Sequence, residues 1–537
     1  MSSKNSQHLL LKAEKARSKR EYLDCIRLCN AIIKKNPQEI TAYEIKGLAS
    51  LEIKEYREAD EMGKQVMELD PINANGAMIR SVALMSTGQD ALAILVLEHQ
   101  LSVTPDILPL LFNLHTACTA VGQNQKALEI AVKAVQLDPT NADAFNNLGA
   151  SLHSVARPKD AVIAFQTAVD LNPRQYTARL NLANTLTNDD NKIIDEIEFV
   201  IKEAKDKISE RAMVGAMHNT AFPYLRIGNL EKGWERLEYG FSPLIDSGRG
   251  RRPKRKFIQP RWTGESLVGK TLLVWREQGL GDEIMFGTYL HEIAQIDGKV
   301  ILECEPRLVK IMTDSFPAFS VRAEIYRGVF PFDSPHHDFD YQIPIGSLAG
   351  LYRKRVEDFD RAKPYLKTDP TLKAKYAQRL LKAAGNNKKI GICWRSGLVS
   401  PIRDSSYTKL TDWHKLFTAP NISIVNLQYG TCEEEIVEVE KQFNIKIIRW
   451  DDTNLQSDLD SVAAIIDNLD VVCTVGTAVA QISGAVGANT ILCDINYGWT
   501  SFGTKKFVYF PNIKLIVDEV NGDMEVAVDM AANLALQ

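Results

Sequence analysis

Three short segments of this chain carry the residue types that hold an anionic ligand at the end of a strand. The first, residues 276–282 (REQGLGD), leaves an apolar run and enters an amphipathic one. Gly279 and Gly281, with Gln278 beside them, allow a tight turn whose backbone N–H groups face an incoming ligand, and Asp282 stands where a helix begins. An Asp there either caps its helix or faces the ligand, and spacing alone favours neither. The turn lacks the Lys-Ser/Thr of a Walker loop and the full dinucleotide fingerprint. The second segment, residues 394–407 (WRSGLVSPIRDSSY), places Arg395, Ser396 and Arg403 just past a strand. Guanidinium groups there neutralise a diphosphate through paired hydrogen bonds, or else make surface ion pairs. The third, residues 474–488 (TVGTAVAQISGAVGA), turns at Gly476 and Thr477 into a small-residue helix from Ala478. Free amides and the dipole at such a helix start attract phosphate. Gly484 and Gly487 would let that helix lie close to a sheet.

These loops need strands to position them. From Thr271 onward buried apolar runs alternate with amphipathic stretches: TLLVW (271–275), KVILECE (299–305), IGICW (390–394), ISIVNLQ (422–428), IKIIRW (445–450), LDVVCTV (469–475) and TILCD (490–494). Strands alternating with helices imply parallel sheets, and open parallel sheets take ligands at the carboxyl ends of their strands. The runs fall into two successive α/β lobes, residues 263–365 and 366–537, with a cleft expected between them.

Residues 1–175 obey another rule. Pro37, Pro71, Pro105, Pro139 and Pro173 recur at an interval of 34. Between them Phe145, Leu148, Gly149, Leu152, Ala161, Phe165 and Ala168 mark large and small packing slots that recur one interval earlier at Leu111, Leu114, Cys118, Ala127, Ala131 and Ala134. That period and pattern resemble the tetratricopeptide family, whose unit is an antiparallel helix pair, here in five copies with a weak third where Arg80 and Ser81 fill packing slots. Such an array presents a long surface suited to a protein or peptide. Asn113, Asn146, Asn147 and Asn181 fall at or near inward-facing slots, where they would grip a peptide backbone or serve as ordinary solvated residues. Residues 176–247 read as degenerate repeat-like helices: a charged helical insertion over 189–210, then one more pair ending in GNLEKGWERLEYG (228–240). Residues 248–262 read as a basic linker, since seven of the nine residues from Gly248 to Lys256 are Arg, Lys or Pro, and such a run is expected to be extended and solvated.

Composition narrows the classes. The 537 residues exceed one hydrophobic core, and 45% hydrophobic with 25% charged residues is the balance of a globular protein. A net charge of −4 gives no argument for nucleic acid. The sequence MSSKNSQHLL lacks the apolar stretch of a secretory signal, and no run approaches the roughly 20 apolar residues of a membrane span. Eight scattered cysteines fit a reduced, cytoplasmic protein with packed thiols, and none has zinc-ligand spacing.

The stretch PRWTGESLVGKTLLVWREQGLGDEIMFGTYL from Pro260, with LDSVAAIIDNLDVVCTVGTAVAQISGAVGA (459–488), SLAGLY (347–352), IGICW and NLQYG (426–430), resembles the catalytic region of bacterial tetratricopeptide-glycosyltransferase proteins. That region is similar to the heptosyltransferase-like (glycosyltransferase family 9-like) family of the GT-B fold, and the likeness covers residues 262–516. The resemblance implies an all-α tetratricopeptide superhelix followed by an α/β GT-B-type region of two Rossmann-like lobes. It implies metal-independent transfer of a sugar from a nucleotide-sugar donor, with no other cofactor. Asp282 becomes the candidate general base on the acceptor side. Arg395, Ser396, Arg403 and the amides of Gly476, Thr477 and Ala478 would hold donor phosphates, with Gln428 near the nucleotide and Gln481 beside them. Many relatives have Asp where this chain has Gly476 and His where it has Gln481; the glutamine still donates a hydrogen bond but cannot carry charge.

Three functions follow as expectations. In the first, the repeats recruit a polypeptide, by analogy flagellin, and the α/β half glycosylates its Ser or Thr. In the second, the protein is a binding scaffold whose transferase-like half has lost its chemistry, a reading that Gly476 and Gln481 favour and that GLGD, Arg395 and Arg403 oppose. In the third, the acceptor is a glycan or lipid.

Overall fold

The computed structural model describes residues 2–187, 189–246, 248, 250–325, 332–333, 338–397 and 406–537. The chain forms two compact units, Met1–Ile208 and Ser209–Gln537. Among the described residues no helix is long and apolar enough to cross a membrane.

The first unit is a run of antiparallel helix pairs. Its helices are α1 (Ser2–Ser18), α2 (Tyr22–Lys35), α3 (Ile40–Glu52), α4 (Tyr56–Leu69), α5 (Ala74–Ser86), α6 (Asp90–Val103), α7 (Leu108–Ala120), α8 (Asn124–Leu137), α9 (Ala142–Ser154), α10 (Pro158–Leu171), α11 (Tyr176–Thr185) and α12 (Asp190–Glu203). The prolines sit in the turns that follow α2, α4, α6, α8 and α10, where no backbone N–H is needed. A second comb lies inside each of the first five pairs: Arg20, Lys54, Gly88, Gly122 and Ala156 all have left-handed φ, between 58° and 76°. Each is followed by a residue whose N–H returns to the helix just ended, as Glu55 does to the Ser50 carbonyl and Arg157 to that of Leu152, both at 2.9 Å. This is a Schellman stop, which closes the carbonyls of the first helix and reverses the chain into the second.

Packing follows the small residues. A side chain at Gly63 would meet the Gly76 carbonyl at 2.7 Å and the Arg80 backbone at 2.9 Å, so the backbones of α4 and α5 are in contact there. The first helices of successive pairs also touch one another, α3 with α5, α5 with α7 and α7 with α9. In the weak third unit Ser81 is buried and bonds the Met78 carbonyl, while Arg80 pairs with Asp60 at 2.9 Å. The expected insertion at 189–210 is instead the second helix of a sixth pair. Ile193, Ile194, Ile197 and Val200 form a buried stripe on α12, which packs on α11. That stripe has helical spacing, but no proline follows it at the comb position, where Lys207 stands.

The second unit begins with helices Glu210–Asn219, Ala221–Arg226 and Leu230–Leu237. They pack on the α/β region: the Trp234 indole donates to the Arg353 carbonyl at 2.7 Å, and its ring lies edge-on to Trp499 and Phe502. Two parallel sheets follow. The first comprises β1 (Thr271–Trp275), β2 (Lys299–Cys304), β3 (Ser320–Ala323) and β4 (Tyr341–Pro344) in the order β3-β2-β1-β4. The second comprises β5 (Lys388–Cys393), β6 (Ile422–Asn426), β7 (Val471–Val475), β8 (Thr490–Asp494) and β9 (Ile513–Val517) in the order β9-β8-β7-β5-β6. Strands such as β7 are buried at every position, because helices cover both faces. The expected strand at 445–450 does not form; only Ile448 bridges to Val425. The sequence does not single out β3, β4 or β9, which are short or bear polar residues.

The basic linker is only partly solvated. The Arg251 and Arg255 side chains are 2% and 1% exposed and pair with Glu277 and Glu303, while Arg252 and Lys256 face solvent. Burial is tolerated because each guanidinium meets a buried carboxylate.

Gly63→Ala should lower the stability of the helix array by about 1–3 kcal/mol, since backbone atoms would have to separate. Ala156→Gly should raise it by about 0.5–1 kcal/mol by removing the left-handed penalty of a Cβ. Urea unfolding of the full chain checks both, and opposite signs would contradict the packing and the turn described.

Candidate functional site

In each sheet the strand order reverses once, and ligands of open parallel sheets bind at that point. In the first sheet β1 lies between β2 and β4; in the second, β5 lies between β6 and β7. The loops leaving β1, β5 and β7 are the three segments rich in Gly, Arg and Asp.

After β1, Asp282 Oδ2 accepts the Gly279 N–H at 3.1 Å, so the carboxylate closes the first turn of the helix Leu280–Phe286. Capping is therefore a role Asp282 performs. Gln278 has φ +61°, unusual for a residue with a side chain. Its N–H donates to the Arg252 carbonyl at 2.6 Å, and its carbonyl accepts from Arg276 at 3.1 Å. Behind it the fully buried Glu277 carboxylate takes the Arg251 Nε at 2.6 Å and the Gly346 N–H at 2.9 Å. Arg276 also binds Glu283 at 2.9 Å and Glu324 at 3.0 Å. Burial pushes the Glu283 carboxyl up to about 7, with the Arg276 guanidinium opposing that rise.

After β5, Gln428 is buried and committed. Its Oε1 accepts the N–H groups of Trp394 (3.1 Å) and Arg395 (3.0 Å), and its Nε2 donates to the Tyr429 carbonyl at 2.9 Å. Gln428 thus shapes the 394–395 turn from below. The Arg395 guanidinium is held by Glu435 and by the Thr431 carbonyl at 2.8 Å, which balances its charge inside the fold. Ser396 bonds the Tyr429 side chain. Arg403 lies outside the described residues. Beside this turn a cleft of about 450 Å³ is lined by Asn426, Gln428, Tyr429, Arg449, Trp450 and Asn454 among others.

After β7, Gly476 is exposed and Thr477 buried. The Thr477 hydroxyl turns inward, 3.2 Å from that of Thr474 and 3.7 Å from the Cys393 sulfur, and does not cap the helix Ala478–Val486. Gly484 abuts Phe510, where a Cβ would lie 2.4 Å from the ring; Gly487 instead ends the helix at φ +95°. The first turns of the two helices meet: a Cβ at Gly281 would stand 3.4 Å from Gln481 Cγ and 3.7 Å from the Ala478 Cα. Gln481 Oε1 is buried there with no hydrogen-bond partner. The starts of two helices from two lobes therefore pack against each other, the first closed by the Asp282 carboxylate and the second without a side-chain cap.

The asparagines of the array make hydrogen bonds between neighbouring helix pairs. Asn113 donates to the Ser81 hydroxyl at 3.1 Å, Asn181 donates to Asn146 at 3.0 Å, and His115 meets the Ser151 hydroxyl at 2.8 Å. The Asn147 backbone also bonds the His115 ring. These contacts tie α5 to α7, α7 to α9 and α9 to α11. Sequence reasoning missed Glu277, Arg276, Tyr429 and Glu435. Glu277 was visible as a charge beside a chosen residue, but the partners of Glu277 and Glu435 lie far off in sequence.

No family model matches the chain. It is 26% identical over 527 residues to Protein FlbA of Caulobacter vibrioides, covering 89% of this chain and 87% of that one. Among solved structures it is similar to the thermophilic TPR protein TTC0263 of Thermus thermophilus, at 21% identity over 34% of this chain and 98% of that one, with a TM-score of 0.29. It is also similar to YrrB, a TPR protein with an unusual peptide-binding site, at 20% identity over 32% of this chain and 88% of that one, TM-score 0.28. The type IV pilus biogenesis factor PilW matches 40% of this chain and 100% of its own at 15% identity, TM-score 0.35.

Gln428→Leu should destabilise the second unit by about 2–4 kcal/mol without any ligand, because two buried N–H groups lose their acceptor. Denaturant titration checks this; stability unchanged while nucleotide affinity falls would instead make Gln428 a ligand contact.

Proposed function

We propose that this protein is a glycosyltransferase that moves a sugar from a nucleotide-sugar donor to a Ser or Thr hydroxyl of a polypeptide recruited by the helix-pair array. The observation that carries this reading is the meeting of the helix starts at Leu280 and Ala478, which brings Asp282 and an uncapped helix end into one space. Donor phosphates would take the amides of Thr477 and Ala478, and the cleft beside Tyr429 and Trp450 would take the nucleoside. Asp282 would accept the acceptor's proton as the glycosidic bond forms, and fixed dipoles would stabilise the departing nucleotide. Docking the acceptor on the array raises its concentration near the donor.

A second reading, a scaffold with a transferase-like half that binds but does not react, is favoured by one observation: Arg395 already spends its charge on Glu435.

Calorimetric titration with UDP, GDP, ADP, CMP and their sugar conjugates tests the donor. One of them should bind, and binding by none would move the scaffold reading ahead. Asp282→Asn should abolish transfer, read by the intact mass of the acceptor, while leaving donor affinity nearly intact. Unchanged turnover would reduce Asp282 to its helix cap.

A further inference from the structure

We propose that the Arg251–Glu277 pair is a positioning device for the Asp282 loop, holding residues 277–282 in the geometry that the transfer reaction proposed above requires. The basic segment then works as a strap behind the reactive loop rather than as a spacer between domains.

The contacts run in an unbroken series. The Arg251 guanidinium is engaged on all sides: Nε and Nη2 on the two Glu277 oxygens, Nη1 on Glu238 at 2.8 Å, and its plane over the Phe241 ring at 4.3 Å. Glu238 in turn takes Arg261 at 2.6 Å and the Ser347 hydroxyl at 2.6 Å, so both oxygens of each carboxylate are satisfied. The next residue along the strap, Arg252, offers its carbonyl to the Gln278 N–H at 2.6 Å. Gln278 is the residue forced to positive φ, and Arg276 grips its carbonyl from the other side. A left-handed conformation at a non-glycine residue persists only when its surroundings over-determine it, and strap and Arg276 together do so. One residue later Gly279 offers its N–H to Asp282. From Arg251 to the Asp282 carboxylate the restraints pass through one side-chain pair, one main-chain bond and one bond from a main-chain N–H to the carboxylate.

Gly346 belongs to the same device. Its N–H donates to Glu277, and a Cβ there would stand 2.6 Å from Glu277 Oε1 and 3.1 Å from Arg251 Nη2. Only glycine lets the loop after β4 close on the pair. Arg251 touches no reacting atom in this scheme; it acts through Glu277 and Gln278 on Asp282.

Two variants of the full-length chain test the proposal. Arg251→Gln removes the charge, and Gly346→Ala keeps both charges but forces them apart. In either variant, backbone amide exchange over residues 276–283 should quicken at least tenfold, while residues 471–486 stay unchanged. With donor and acceptor, kcat should fall about 10–100-fold while donor Kd stays within twofold, since small misplacement of a reacting group is costly. If Arg251→Gln does not fold, Gly346→Ala alone decides. A folded variant with a lower Tm but unaltered loop exchange and kcat would make the pair merely structural and overturn the proposal. If the wild-type protein neither binds a nucleotide nor transfers a sugar, the transferase reading fails by itself. Loop exchange then still decides the positioning role, and equal exchange in variant and wild type overturns it.

Discussion

Burying a guanidinium and a carboxylate together is stable only when nearly every donor and acceptor of both is used, and the Arg251–Glu277 pair meets that demand just past the carboxyl end of β1. Removing Arg251 would leave the buried Glu277 carboxylate without its cation. The pair therefore binds three elements into one arrangement: the segment before the sheet, the loop leaving β1, and the turn after β4 at Gly346. A parallel arrangement recurs where Arg255 and Arg322 share Glu303. Clamped on this side, the Asp282 loop has little freedom left in its backbone.

In the second lobe neutral hydrogen bonds shape the bases of two loops. Gln428 carries the backbone of the 394–395 turn, and the hydroxyls of Thr474 and Thr477 close the base of the 476–478 turn. Both devices use up side chains that could have met a ligand. Among the described residues the main-chain donors at hand are the first amides of the helix Ala478–Val486, with those of the helix Leu280–Phe286 opposite. Main-chain donors fixed by packing need no reorganisation when charge appears, which makes them effective partners for phosphate.

Local rules made the helix pairs and most strands legible. The proline comb marks the turns between pairs, and the left-handed comb at Arg20, Lys54, Gly88, Gly122 and Ala156 was half visible through its glycines. The sixth pair was missed because Lys207 stands where proline would mark it, although the isoleucine stripe of α12 was there to read. Residues 445–450 look like a strand because apolar residues adjoin, yet they lie past the edge of the sheet and bridge at a single residue. The long-range pairs were illegible. Nothing in GRGRRPKRK announces Glu277 or Glu303, so a run that composition marks as solvated proves to be half buried. Arg395 was legible as a charge at a strand end, but its partner Glu435 lies 40 residues away. The candidate loops could be picked out from glycines and strand ends; which of their side chains are engaged within the fold could not.

The central claim is that the loops after β1, β5 and β7 form one ligand site. Amide hydrogen exchange of the full-length protein, with and without a saturating nucleoside diphosphate, tests it most directly. The account predicts slower exchange at residues 476–481 and 394–397 together with 278–282, and little change in the helix array. Slowing confined to the array, or the absence of slowing in any of these three loops with every nucleotide tried, would contradict it.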